Sequence, residues 1–346
     1  MTPAKIPRIL VALAVAAGLL AAGSAGKPVD RPDPAAEHQR IVDFWTWERV
    51  AQAVPRDFYL DPGKGFIPSK GGPPPGKGGG GGGGGDTVIG ASWENGGTVA
   101  DTTGKVLFAF GDNYYVCSAS VVVDSTTDQS TILTAAHCVY DEASGTFAQN
   151  WTFIPNYDAA PAPLDTSGSF CADTLYGCWT ARAIVVSDGY TTAGGFNSQA
   201  TVHDFAFVQV GPGGHYPTTE LDVTVGGQGI QFTTGVLGDP AWAFGYPAAK
   251  KYKGKDLIYC KGPLGTDPFN SDLTYRLDCN MTGGSSGGPW FQSFDEATGA
   301  GVLMSLNSYG YSSVKNAMHG PKFNAETEAL YDAIETADGN LIVNTH

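Results

Sequence analysis

From about residue 86 onward, short runs rich in Val, Ile, Phe, Tyr and Thr alternate with Gly, Pro, Asn and Asp. The clearest runs are 105–110, 116–123, 131–135, 151–155, 180–186, 205–210, 241–244, 274–278 and 301–306. Apolar stretches of this length, bounded by turn formers, predict β-strands. Strands so frequent, with no helices between them, argue against a parallel α/β sheet and for antiparallel barrels or a sandwich. One helix is predicted near the end: Asn324 caps it, Glu326 and Glu328 suit its first turn, Leu330 and Ile334 share a face, and Gly339 terminates it. The expected class is all-β with a C-terminal α-helix, and about 260 residues suffice for two small barrels packed together.

The first 85 residues have another character. Lys5 and Arg8 precede an apolar run from Ile9 to Ala22, and Gly23-Ser24-Ala25 supplies small residues for cleavage. Residues 1–25 therefore read as a secretory signal. The run is short for a membrane anchor, which needs about 20 apolar residues. Residues 26–70 read as a pro-segment, in which Ile41, Phe44, Trp45 and Val50 predict a short amphipathic helix over 37–50. Residues 71–85 are Gly and Pro apart from Lys77, ending in unbroken glycine from Gly78 to Gly85. With no side chains to bury and a large ordering entropy, this tract is expected to be a flexible linker. The alternative to a pro-segment is a disordered tail kept in the mature protein. The main domain is expected over 86–346.

All six cysteines follow residue 116 and none forms a CxxC pair. An even count in an exported chain points to disulfides rather than zinc or redox chemistry. Neighbour order suggests Cys117–Cys138, Cys171–Cys178 and Cys260–Cys279, though six cysteines admit many other pairings. The 20 Lys+Arg and 34 Asp+Glu divide unevenly: the first 85 residues hold 10 basic and 7 acidic side chains, leaving 10 and 27 beyond, a net −17. Such a surface repels nucleic acid and anionic membranes. The expectation is a monomer with neither as partner. The histidines lack HExxH spacing, so no metal or other cofactor is expected.

Three local settings carry chemistry: Thr134-Ala135-Ala136-His137-Cys138, His203-Asp204-Phe205-Ala206, and Thr282-Gly283-Gly284-Ser285-Ser286-Gly287-Gly288-Pro289. A serine hydroxyl becomes nucleophilic when an imidazole takes its proton and a carboxylate orients that imidazole. Glycines before Ser286 let the backbone turn so that N–H groups face a developing oxyanion. Each piece alone has a plain reading, as a tight turn, a packed histidine or a surface carboxylate. Together they point to catalysis. His203 is expected on the opposite side of its strand from Asp204, in a structural or surface role.

These motifs, in the order His, Asp, Ser, resemble the chymotrypsin-like (trypsin-like) serine peptidases over roughly residues 98–335. The Thr-Gly-Gly-x-Ser-Gly-x-Pro core is most similar to the bacterial glutamyl endopeptidase branch. The resemblance implies two six-stranded antiparallel β-barrels with the site in the cleft between them. It implies Ser286 as nucleophile, His137 as general base and then acid, and Asp204 as orienting carboxylate. The N–H groups of Gly284 and Ser286 would form the oxyanion hole. It further implies a secreted hydrolase of bacterial origin, cleaving proteins or peptides as a serine endopeptidase.

Departures bear on activation and specificity. Ser285 stands where trypsin-type members carry the Asp that pairs with a new N-terminus, and no Ile-Val-Gly-Gly follows the linker. A zymogen would then rely on its pro-segment to block the site or to assist folding. The primary pocket is expected from Asn280, Met281, Thr282, Ser308, Tyr309 and Gly310. Asn280 falls where trypsin has an Asp, Met281 replaces the pocket Thr of glutamyl endopeptidases, and Ser308 stands in place of their His. An apolar or small neutral side chain is the expected preference.

Two other functions fit parts of the pattern. Gly284-Ser285-Ser286-Gly287-Gly288 matches the Gly-x-Ser-x-Gly elbow of esterases and lipases, but Pro289 opposes the helix that elbow needs. A non-catalytic secreted binding module on a peptidase fold is the alternative from another class.

Overall fold

The computed structural model describes residues 33–61, 65–68, 87–157, 169–215, 219–252 and 254–345, all within one compact unit, Asp33–His346. The expected signal (1–25) and Gly/Pro linker (71–85) lie outside the described residues.

The first half is a closed antiparallel barrel. Around the ring run Asn113–Val122, Thr103–Phe110, Gln149–Pro155, Trp179–Ser187, Ala206–Val210 and Ser130–Thr134, and pairing of Ser120 with Leu133 closes it. Closure gives each of these six strands a hydrogen-bonded neighbour on both sides, so none is an edge strand. Strand Thr103–Phe110 is buried in all but its last residue, which its apolar run anticipates. Two short strands add to this ring in parallel: Val54–Pro55 on Asn113–Val122, and Leu341–Val343 on Trp179–Ser187.

The second half consists of two six-stranded sheets. One runs Gly229–Ile230, Ala300–Leu306, Pro289–Asp295, Pro240–Gly245, Ile258–Pro263, Val88–Ser92. The other runs Gly265–Thr266, Tyr275–Asp278, Ala317–Gly320, Tyr309–Tyr311, Phe58–Asp61, Gly65–Pro68. A separate core including Ile258, Leu277, Trp290 and Met304 fills this half. The Cys260–Cys279 disulfide joins the two sheets, and Cys117–Cys138 and Cys171–Cys178 complete the pairing that neighbour order suggests.

The C-terminal helix spans Ala325–Thr336. Asn324 Oδ1 accepts from the Glu326 and Thr327 N–H groups, while Thr327 Oγ1 accepts from Asn324 N, so the first turn is capped from both directions. Leu330 and Ile334 are fully buried beneath it. It ends at Thr336, before Gly339 is reached.

The amphipathic stretch near the N-terminus forms two helices, Pro34–Phe44 and Trp47–Gln52, instead of one. Thr46 causes the break, because its Oγ1 accepts from Arg49 N and starts a new helix. The break turns Trp45 fully inward, where its Nε1 donates to Asn150 O at 2.7 Å. Beyond it the chain crosses to the second half and pairs there as Phe58–Asp61.

Candidate active site

Strand Ser130–Thr134 ends in a single 3-10 turn, Ala136–Cys138, that carries a fully buried His137. The Cys117–Cys138 disulfide ties that turn to the neighbouring barrel strand. Asp204, also fully buried, sits just before strand Ala206–Val210, which pairs with Ser130–Thr134. Its carboxylate grips the histidine twice. Oδ1 accepts from the His137 backbone N–H at 3.0 Å, and Oδ2 faces Nδ1 at 2.8 Å. A carboxylate only accepts, so Nδ1 carries a hydrogen, and in the neutral imidazole that leaves the lone pair on Nε2. Ser308 Oγ also donates to Asp204 Oδ2. The Ser308 hydroxyl, expected along the pocket wall, thus serves to hold the aspartate.

Ser286 lies on the loop before strand Pro289–Asp295. Gly287 has φ +80°, and a Cβ there would lie 2.3 Å from Thr134 Oγ1 and 2.4 Å from Ser118 O. Only glycine permits both that backbone and that approach of the two halves. Ser118 binds the seam: its N–H donates to Ser286 O at 2.7 Å, and its Oγ donates to Gly284 O at 2.9 Å.

The two candidate oxyanion-hole N–H groups are oriented by the carbonyls on the far side of their peptide planes. Gly283 O accepts from Ala248 N at 2.6 Å, which turns the Gly284 N–H the other way. Ser285 O accepts from Gly288 N at 2.9 Å and from Asn307 Nδ2 at 3.0 Å, which does the same for the Ser286 N–H. Asn307 is fully buried, and Trp290 Nε1 donates to its Oδ1 at 2.7 Å.

Ser286 Oγ donates not to His137 but to Asp57 Oδ1, at 2.8 Å. The same oxygen accepts from Gly284 N at 3.2 Å. His137 Nε2 is buried with no hydrogen-bond partner. Burial pushes the Asp57 carboxyl up, against the lowering effect of its bond from Ser286. Next to it, Phe58 stacks on Phe196 at 4.0 Å and meets the His137 ring edge-on at 5.5 Å.

The remaining expected pocket residues lie in the second half, Tyr309 and Gly310 within strand Tyr309–Tyr311 and Asn280, Met281 and Thr282 just beyond strand Tyr275–Asp278. Asn280 takes a hydrogen bond from Tyr252 OH and its N–H donates to Ile89 O. Met281 is buried, and Thr282 Oγ1 accepts from Ala249 N at 3.2 Å. Tyr309 OH bonds to Asp267, and Gly310 approaches Tyr59. Behind them His319 stacks on Tyr309 with ring centroids 4.9 Å apart. His203 reaches away from the site to Glu326 at the head of the C-terminal helix, 2.8 Å off. Of the residues around the site, Asp57, Asn307 and Ser118 carry no local sequence signal.

A closed antiparallel barrel joined along a seam to a second set of β-sheets is the architecture of the trypsin-like serine peptidases. The comparisons agree. A family model described as the trypsin-like peptidase domain matches residues 117–299. The chain belongs to the trypsin-like peptidase family. It is 34% identical to a thermostable serine protease from an extremophilic microorganism, covering 69% of this chain and 99% of that one with a TM-score of 0.57. Against the protease Anisep from Arthrobacter nicotinovorans the figures are 33%, 72%, 100% and 0.57. A glutamyl endopeptidase of Bacillus licheniformis is 29% identical over 179 residues, 51% of this chain and 46% of the relative. The chain thus spans about half the length of that curated relative.

Proposed function

We propose that the chain is a secreted serine endopeptidase acting through Ser286, His137 and Asp204. The observation that carries this reading is the double grip of Asp204 on His137, which leaves Nε2 as a base beside the Ser286 loop. In the first step Ser286 Oγ bonds to the scissile carbonyl carbon while His137 Nε2 takes the hydroxyl proton. The carbonyl oxygen becomes an oxyanion facing the Gly284 and Ser286 N–H groups. The C–N bond then breaks, and His137 gives its proton to the departing amine. Water, deprotonated by the same nitrogen, releases the acid and restores Ser286. Each oxyanion donor is expected to contribute about 10²–10³ in rate.

For the primary pocket we infer an apolar or small neutral preference. Asn280 Oδ1 accepts from Tyr252 OH and Thr282 Oγ1 from Ala249 N, and none of Asn280, Met281, Thr282, Ser308, Tyr309 and Gly310 carries a charge to pair with a charged substrate side chain. Three disulfides support an oxidising destination. Among the described residues no helix is long and apolar enough to cross a membrane.

The test uses protein cut in the Gly78–Gly85 tract, exposed to a fluorophosphonate and then mapped by peptide. Labelling at Ser286 that disappears in His137→Ala is the expected result, together with cleavage of a peptide library after uncharged residues. A folded protein that takes no label would transfer the chain to the non-catalytic reading.

A further inference from the structure

Resting on that peptidase reading, we propose that residues 33–68 are a built-in inhibitor whose Asp57 side chain plugs the oxyanion hole. The groove is then a docking surface for this segment even after the chain is cut.

The plug uses the chemistry of the site without offering it a bond to break. Asp57 Oδ1 receives hydrogen bonds from Ser286 Oγ and Gly284 N, the nucleophile and a donor meant for the oxyanion. A carboxyl carbon at this place bears no amine leaving group. Attack there would regenerate the same acid, so the occupant is not consumed. The contact also withdraws the Ser286 hydrogen from His137, whose Nε2 is left without a partner.

Anchors on both sides hold the plug in place. Arg56 pairs with Asp141 Oδ1 at 2.7 Å and Glu142 Oε2 at 3.1 Å, and it donates to the carbonyl of His137 itself. Phe58 covers the imidazole. Strand Phe58–Asp61 occupies the edge of Tyr309–Tyr311, running parallel to it, so this edge is closed to an incoming peptide. Farther back, Trp45 is buried, and Trp47 Nε1 donates to Asp173 Oδ2 at 2.9 Å.

The plug itself is a weak point. Asp57 Oδ2 is buried with no hydrogen-bond partner, and the neighbouring guanidinium is committed to Asp141 and Glu142. An incompletely bonded buried carboxyl opposes insertion. The tether and the remote anchors therefore do the holding, by keeping the effective concentration of the segment high. A cut between residues 68 and 87 removes the tether and leaves only the anchors.

Gly283 supplies a specific handle. A Cβ there would lie 1.7 Å from Asp57 Oδ2 and 2.7 Å from Pro55 Cβ, and its nearest neighbours all belong to the inhibiting segment. The experiment measures the rate of fluorophosphonate labelling at Ser286 in the full chain, intact or cut at an inserted protease site in the glycine tract. If the intact chain is open about 1% of the time, it labels about 100-fold more slowly than cut protein at high dilution. The cut protein is expected to slow again when concentrated. Asp57→Ala should close most of the gap in the intact chain, because it clears Ser286 Oγ and Gly284 N even while the anchors stay seated. Gly283→Ala should shrink the cut-to-intact ratio whatever its own basal rate, which guards against misfolding of the first variant. Equal labelling of intact and cut wild-type protein overturns the inference and leaves the peptidase reading standing. No labelling of any folded form overturns that reading, and this inference with it.

Discussion

Asn307 Nδ2 holds the carbonyl of Ser285 at 3.0 Å and that of Phe244 at 2.7 Å, while its Oδ1 takes the Trp290 Nε1 hydrogen. This buried amide therefore shares with Gly288 N the fixing of the peptide plane that aims the Ser286 N–H. Asn307→Ala loosens that plane, leaving it to Gly288 N alone, and takes a partner from three buried polar groups. The expected outcome is a fall in kcat of about 100-fold with KM little changed, since the lost stabilisation belongs to the oxyanion. Steady-state kinetics on cut protein check it. A change confined to KM would assign Asn307 to the pocket.

Ser308 makes a separate prediction. Its hydroxyl is the third donor to Asp204, beside the two from His137. A hydrogen bond to a charged group contributes about 1.5 kcal/mol, so Ser308→Ala should lower kcat about tenfold. Ser308→Thr, which keeps the hydroxyl, should recover most of the loss. Failure of threonine to do better than alanine would argue for a packing role.

His319 predicts a pH dependence of stability. Burial depresses its pKa to about 4, outweighing the nearby Asp267. Between the ordinary histidine value near pH 6.5 and pH 4, the unfolded chain binds a proton that the native chain refuses. Stability attributable to this group is therefore present above about pH 6.5 and is lost as pH falls toward 4. Melting curves across that window should show a shallower decline for His319→Phe than for wild type. Parallel declines would remove His319 as the cause.

The Cys117–Cys138 link closes a loop with a sequence separation of 21 and anchors the turn that carries His137. Replacing both cysteines by alanine should cost about 3 kcal/mol through the unfolded chain. Activity per folded molecule should fall as well, because the imidazole loses a covalent support. Denaturant midpoints and titration of active sites separate the two effects.

Much of the first barrel is legible in the sequence because its strands are long apolar runs between clear turns, such as 105–110 and 205–210. The C-terminal helix is legible from Asn324 because a cap is a local signal. Phe58–Asp61 and Gly65–Pro68 are not, since each has four residues and their place depends on a partner near residue 310. The helical stretch 37–50 reads as one element because its apolar spacing is continuous. The cap by Thr46 overrides that periodicity. His137, Asp204 and Ser286 announce themselves through unusual neighbours. Asn307 and Ser118 do not, because their roles reside in carbonyls contributed by remote strands.

Ser118 also bears on the order in which the parts of the site are assembled. Its hydroxyl receives from Tyr246 N, 128 residues away, and donates to Gly284 O, 166 residues away. Contacts of such separation close large loops and form slowly relative to local structure. The Ser286 loop therefore takes its final shape only once both halves have met, so a chain still leaving the ribosome, with its second half unmade, has no formed cleft at all.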